Sequence, residues 1–443
     1  MLVIATDVVG ERMAGPGIRA WELSRALARK HEVTLAAAAP LPAAPTEFKV
    51  IEAARGSLRR DAAEADVLVA QPVALSLFPA LLESTAARVV DLYDPALIEG
   101  LELHAEESQV ERLAAQQADL AALTRAARAG DLFLCASERQ RHYWLGVLTA
   151  AGRVNPLTYA ADPRLDNLLT VVPFGIPDEA PRPGSVRLRR QLEGVGEGDR
   201  VVLWAGGIWN WFDPQTLVRA TARAVREVPN LRVVFMGSGH PNPSVPRMAA
   251  AAEAGALARS LGLEGKHVFF RPGWVPYAER AGLLLDADVG AVLHRDTVES
   301  EFAFRTRVLD HFWAGLPSLV SAGDVMAELV LAEGLGVVVP PGDEAAVAAA
   351  LVRLLADDDF AAACRAAVQR VAPRYRWSAV IEPLARFCAH PAPSADRDLL
   401  RAQGPAGASP RRPVVRGAWG ALRREGPRRF ARRAYRYLRR WAG

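Results

Sequence analysis

The chain has 443 residues, 51% of them apolar and 23% charged, which is too long for one ordinary core and predicts two to three globular domains. Its three cysteines, Cys135, Cys364 and Cys388, lie far apart in apolar stretches, which argues against a disulfide framework or a zinc site and fits a reducing cytoplasm. The net charge of +4 is uneven: twelve arginines against Glu425 give residues 411–443 a charge of +11 and leave the remainder at −7.

The opening residues reach Asp7 without a basic region and read as a first strand, not as a signal peptide. No run of about 18 apolar residues marks a membrane span. Short apolar runs then alternate with helical patterns, the signature of βα units and a parallel sheet. Strands are expected at 2–6, 32–38, 47–51, 66–70, 87–92, 131–135 and 170–173. The pattern predicts a helix over 18–30, where Ile18, Trp21, Leu23 and Leu27 share a face, and one or two helices over 97–129. Residues 177–200, rich in Pro, Gly and acids, read as a hinge. A second series follows, with strands near 201–205, 231–236, 267–270, 288–293, 317–321 and 336–339. The fold class expected is therefore α/β, with tandem Rossmann-like domains over 1–178 and 199–390, a linker over 391–416 and a basic tail over 417–443.

Gly15, Gly17 and Ala20 satisfy a loose G-x-G-x-x-A fingerprint, but no acid follows the second strand to hold a ribose, which argues against NAD. The turn is either merely tight or admits a phosphate or acceptor. Asp94, in Asp-Leu-Tyr-Asp-Pro after a strand, either caps the next helix or serves as a base in a cleft. The second series opens with Gly206 and Gly207, then Trp209, Asn210 and Trp211 in a loop at a strand's carboxyl end, where such loops face ligands. Gly237, followed by Ser238 and Gly239, and the Gly273-Trp274-Val275 turn repeat that layout. Asp286 and Asp288 match a short acidic metal motif but sit at a helix-to-strand junction, where the spacing is incidental.

Phe304, Arg305, Thr306 and Arg307 stand where a polar loop feeds a helix that stops at Gly315. Cations there oppose the helix dipole, which suggests an anion between them. Glu301 and Asp310 flank them, either as acceptors for sugar hydroxyls or as solvated acids. The tail alternates aromatic residues with arginines, as an interfacial amphipathic helix does, with nucleic-acid binding and a disordered solubilising role as alternatives.

The stretches Gly15-Pro-Gly-Ile-Arg19, Val171-Val-Pro-Phe-Gly-Ile176, Gly206-Gly207, Gly237-Ser-Gly239 and Phe304-Arg-Thr-Arg-Val-Leu-Asp-His-Phe-Trp-Ala-Gly-Leu-Pro317 together resemble family-four glycosyltransferases of the GT-B type, over residues 1 to about 390. The resemblance implies a nucleotide-sugar donor on the second domain, a saccharide or lipid-linked acceptor on the first, and metal-independent, cofactor-free transfer with retention. It implies donor contacts from Gly15, Gly17, Arg19, Gly207, Trp209, Asn210, Trp211, Gly237, Val275, Phe304, Arg305, Thr306 and Arg307, and catalytic carboxylates among Asp94, Glu301 and Asp310. Relatives carry two glutamates eight residues apart; here Asp310 takes the second place and Phe302 the first, with Glu301 and Glu299 nearby. Their loop Arg and Lys are missing between Gly207 and Asp213, so Arg305 and Arg307 are expected to hold the diphosphate. Cell-envelope polysaccharide or glycolipid assembly in the cytoplasm, with the tail on an anionic membrane, is the expected setting, and nucleic acid is not an expected partner. The alternatives are a GT-B-like nucleotide-sugar epimerase or a non-enzymatic protein acting through the tail.

Overall fold

The structure, a computed structural model, describes residues 1–403 except 40, 42–44, 185–186, 238, 243–244 and 246–247. The tail expected over 417–443 lies outside the described residues, as does Ser238. The described residues form two wholly parallel sheets. The first holds β1 (Leu2–Ile4), β2 (Thr34–Ala37), β3 (Lys49–Glu52), β4 (Val67–Ala70), β5 (Ala87–Asp91), β6 (Leu132–Cys135) and β7 (Leu169–Val171), in the order β3-β2-β1-β4-β5-β6-β7. The second holds β8 (Arg200–Trp204), β9 (Leu231–Phe235), β10 (Val268–Phe270), β11 (Val289–Val292), β12 (Ser318–Ser321) and β13 (Gly336–Val339), in the order β10-β9-β8-β11-β12-β13.

Parallel strands with helices on both faces have no solvent side, which is why they read as unbroken apolar runs. All four residues of β4 are buried, and Val3 and Ile4 pair with Val69 and Ala70 beside them. Fully burying each such Val or Leu contributes about 1.5–3 kcal/mol.

The glycine fingerprint is already helical. Gly15 is the first residue of the helix Gly15–Ala28, and a Cβ on Gly17 would stand 2.2 Å from the Val8 carbonyl oxygen, so this glycine lets the helix close on the preceding loop. Residues 97–129 resolve into two helices, Ala96–Leu103 and Gln109–Ala129. Ser108 and Glu111 form a capping box at the second.

The chain crosses between the lobes twice. The hinge at 177–200 contains a short helix, Leu188–Gln191. After the helix Asp358–Val371 the chain returns: Ile176 N–H donates to the Tyr375 carbonyl at 2.7 Å and Trp377 N–H to the Ile176 carbonyl at 2.9 Å. Trp377 packs on Phe174 and fills the space that a side chain at Gly175 would need. The helices Trp377–Val380 and Glu382–Ala389, expected to finish the second domain, thus lie against the first lobe. Within the expected linker, Ser394 N–H donates to Asp131 at 2.9 Å, and residues Arg397–Gln403 form a helix. No helix among the described residues is long and apolar enough to cross a membrane.

Candidate active site

Strand order reverses between β1 and β4 in one sheet and between β8 and β11 in the other. Crevices open at such points beyond the carboxyl ends of the strands. The loops after β1, β5, β8, β9, β10 and β11 enclose a cavity of about 420 Å³ between the lobes. A second cavity, of about 530 Å³, lies behind the first sheet among Asp131, Leu165, Phe387 and Ser394, away from these loops.

The two arginines at the helix Thr306–Ala314 have opposite fates. Arg305 is 5% exposed and bound to the Glu299 carboxylate through two bonds of 2.9 and 2.6 Å, with Asp324 3.6 Å from its Nε. Its charge is spent inside the lobe, so it is no half of a phosphate clamp. Arg307 has no ion-pair partner among the described residues, and its Nη1 is buried without a hydrogen bond. Burial, then repulsion from Arg305, pulls its guanidinium down to about 9. It stacks 4.2 Å from the Phe212 ring centre, and its Nε lies 2.9 Å from where a Cβ on Gly206 would stand. Gly206, at φ +112°, leaves room for it. The helix Thr306–Ala314 begins beside it with no side-chain cap, and Thr306 and Phe304 line the cavity. A free guanidinium and uncapped N–H groups converge here, the donor set that fits an oxyanion.

Asp310 also lines the cavity, paired with Arg280 at 3.4 Å. Burial raises its carboxyl, against the pull of Arg280. Arg280 in turn lies over Tyr277, whose hydroxyl donates to Glu22 of the first lobe at 2.9 Å. Trp209 and Trp211 stack with ring centres 5.1 Å apart, and His240 and Trp274 continue the wall. Trp274 donates across the cleft to the Met13 carbonyl at 3.0 Å. Burial lowers the His240 imidazole, while Asp7, 3.9 Å away, opposes that shift.

On the first lobe, Gly15 lies at the cavity edge, and Asp94 and Glu99 face into it. Burial raises Asp94 to about 7, although the Tyr93 hydroxyl donates to it. Burial and the neighbouring carboxylates Asp94 and Glu299 raise Glu99 well above the usual range. Asp94 is therefore a cavity carboxyl and not a helix cap: the helix Ala96–Leu103 follows Pro95, with no side-chain cap bond.

Other expected residues lie elsewhere. Arg19 is 1% exposed and saturated by both Asp91 oxygens, at 2.6 and 2.8 Å, and by the Val172 and Pro173 carbonyls. Gly17 sits behind the loop it supports. Asn210 is buried, with its side-chain oxygen turned to the Ala250 N–H, and the Val275 side chain belongs to the core around Leu188 and Phe269. Gly237 lies beneath the wall, beside Gly206 and Trp274. The Glu301 side chain is exposed outside the cavity, and its carbonyl accepts from Arg139 at 3.0 Å. Asp286 pairs with Arg187, and Asp288 accepts from the Val201 N–H, so this acidic pair is structural. His240, Arg280 and Glu99 were not expected at the site, because isolated residues in loops or short helices carry no periodic signal, and in the Gly273-Trp274-Val275 turn it is Trp274 and not Val275 that reaches the cavity. Trp274, two residues before Pro276 in a glycine turn after a strand, was the one with a usable cue.

Residues 199–357 match the family described as glycosyl transferases group 1. That match spans the second lobe and stops there. A D-inositol 3-phosphate glycosyltransferase of Kineococcus radiotolerans is 35% identical over 236 residues, 51% of this chain and 51% of that protein, so the chain matches about half the length of that curated relative. A sucrose-phosphate synthase from Thermosynechococcus elongatus has a similar structure (TM-score 0.61, 16% identity, covering 90% of this chain and 99% of that one). So do the Anabaena protein HepE in complex with UDP-glucose (0.62, 17%, 88% and 99%) and WaaG, a glycosyltransferase involved in lipopolysaccharide biosynthesis (0.58, 17%, 88% and 100%). At these identities the likeness shows the fold alone: a GT-B frame of two facing Rossmann-like lobes.

Proposed function

We propose that this GT-B chain transfers a glycosyl group from a nucleotide-sugar donor to a hydroxyl of an acceptor. The observation that carries the reading is Arg307, a guanidinium without an ion-pair partner among the described residues, at an uncapped helix start and facing Gly206. The donor diphosphate sits there, with the nucleoside toward Asp310 and Arg280 and the sugar toward Asp94. As the anomeric carbon–oxygen bond breaks, negative charge gathers on the departing phosphate, and Arg307 and the helix N–H groups stabilise it. The acceptor oxygen bonds to the anomeric carbon on the same face, and its proton passes to the departing phosphate oxygen, which retains configuration without a metal. Closure of the lobes keeps water from the glycosyl cation-like centre. The UDP and UDP-glucose named for the Anabaena structures make uridine donors the first to try.

Titration calorimetry with UDP tests the reading. Arg307→Ala is expected to weaken UDP at least tenfold, about 1.4 kcal/mol. Unchanged affinity would remove the phosphate site. Proton NMR of the product's anomeric coupling checks retention.

A further inference from the structure

Charge is divided across the cavity. From the second lobe it receives His240, Arg280, Arg305 and Arg307, with one carboxylate, Asp310, which is paired to Arg280. The described residues that the first lobe contributes include three carboxylic acids, Asp7, Asp94 and Glu99, and no Lys, Arg or His. The one arginine that the sequence places nearby, Arg19, is consumed by Asp91 and two carbonyls. Arg305, whose charge pulls the Glu99 carboxyl down, is held by Glu299. Among the described residues, an anion on the acceptor side would thus meet carboxyl groups and no free first-lobe cation.

Hydroxyl groups would meet the reverse. Glu99 has no hydrogen-bond or ion-pair partner among the described residues, and Asp94 holds only the Tyr93 hydroxyl. Each keeps oxygens open to the cavity. A carboxyl that burial raises to about 7, as at Asp94, both donates to and accepts from alcohols, as a polyol requires. Val73 and Leu103 at the same wall suit the carbon faces of such a molecule.

We infer that the acceptor is an uncharged polyol at the end that enters the cleft, hydrogen-bonded by Asp94 and Glu99, and that phosphorylated or carboxylated acceptors are rejected by the first-lobe wall. The inference rests on the glycosyl-transfer reading and names the substrate class of that site.

The test offers the full chain UDP-glucose, UDP-N-acetylglucosamine and GDP-mannose with matched acceptors: inositol and inositol 3-phosphate, glucose and glucose 6-phosphate, fructose and fructose 6-phosphate. Donor binding and slow donor hydrolysis are read alongside transfer. The expected result is kcat/KM at least about tenfold higher for the neutral member of a pair, since burying an anion with no cation to pair it costs more than burying hydroxyls that find hydrogen-bond partners. Glu99→Lys, which supplies the missing cation, should invert that ratio. Preference for the phosphorylated member, transfer to no neutral polyol while a donor is consumed, or a ratio untouched by Glu99→Lys in a folded protein would overturn the inference. If no donor binds or is hydrolysed, the glycosyl-transfer reading itself fails.

Discussion

Arg305 and Arg307 stand two residues apart on one turn, yet one is held in a buried ion pair and the other has no ion-pair partner among the described residues. Removing Arg305 strands Glu299, 1% exposed, without its countercharge. Arg305→Ala is expected to cost about 3–5 kcal/mol and lower Tm in a melting scan. Arg307→Ala relieves a desolvated cation and should leave Tm unchanged or raised while UDP affinity falls. The sequence told of excess positive charge but not of its partners: Asp91 lies 72 residues beyond Arg19, and only folding brings them together. Asp94 carries a pH prediction. Its carboxyl moves from 3.8 to about 7 on burial, so between those values the folded chain holds a proton that the unfolded chain has lost. Stability therefore falls as pH climbs from about 4 to about 7. Asp94→Asn is expected to gain ~1–2 kcal/mol, a few degrees in Tm, at pH 8 and nothing at pH 4.

At the scale of elements, the strands were legible because burial on both faces forces continuous apolar runs, as in Val67 to Ala70. Loops gave only their glycines, and not every glycine there serves the cavity. Gly15 and Gly17 look alike in sequence, but a Cβ on Gly15 meets only the Tyr93 hydroxyl at 3.5 Å, while one on Gly17 collides with the Val8 carbonyl. Thermal melts should show Gly15→Ala close to wild type and Gly17→Ala destabilised by more than about 2 kcal/mol, in line with strain from overpacking. Gly206→Ala combines a strained φ of +112° with displacement of Arg307. Its expected signature is a loss of UDP binding comparable to that of Arg307→Ala, together with a lower Tm.

For the whole molecule, the pairing of two Rossmann-like lobes followed from the repeated βα pattern around the Pro- and Gly-rich hinge. The second crossing did not, because Trp377 and its neighbours carry an ordinary helical pattern whose partner surface, Phe174 to Ile176, lies 200 residues earlier. Across the cleft the lobes are clasped by Trp274 on Met13, Tyr277 on Glu22, and Gln140 on the Phe302 carbonyl. Trp274→Phe keeps the ring and deletes the N–H donor. It should raise the ratio of donor hydrolysis to transfer at nearly unchanged Tm, and a ratio equal to wild type would remove the clasp from the mechanism.

The two crossings run side by side, joined by the hydrogen bonds between Ile176 and the 375–377 segment. A single tether would let one lobe swivel freely, whereas two adjacent tethers act like a pair of hinge pins on one jamb. Motion is then confined to a swing about that line, and the far rim of the cleft travels farthest for each degree of opening. A wedge such as Gly175→Val, driven into the pins themselves against the Trp377 ring, is expected to jam the swing.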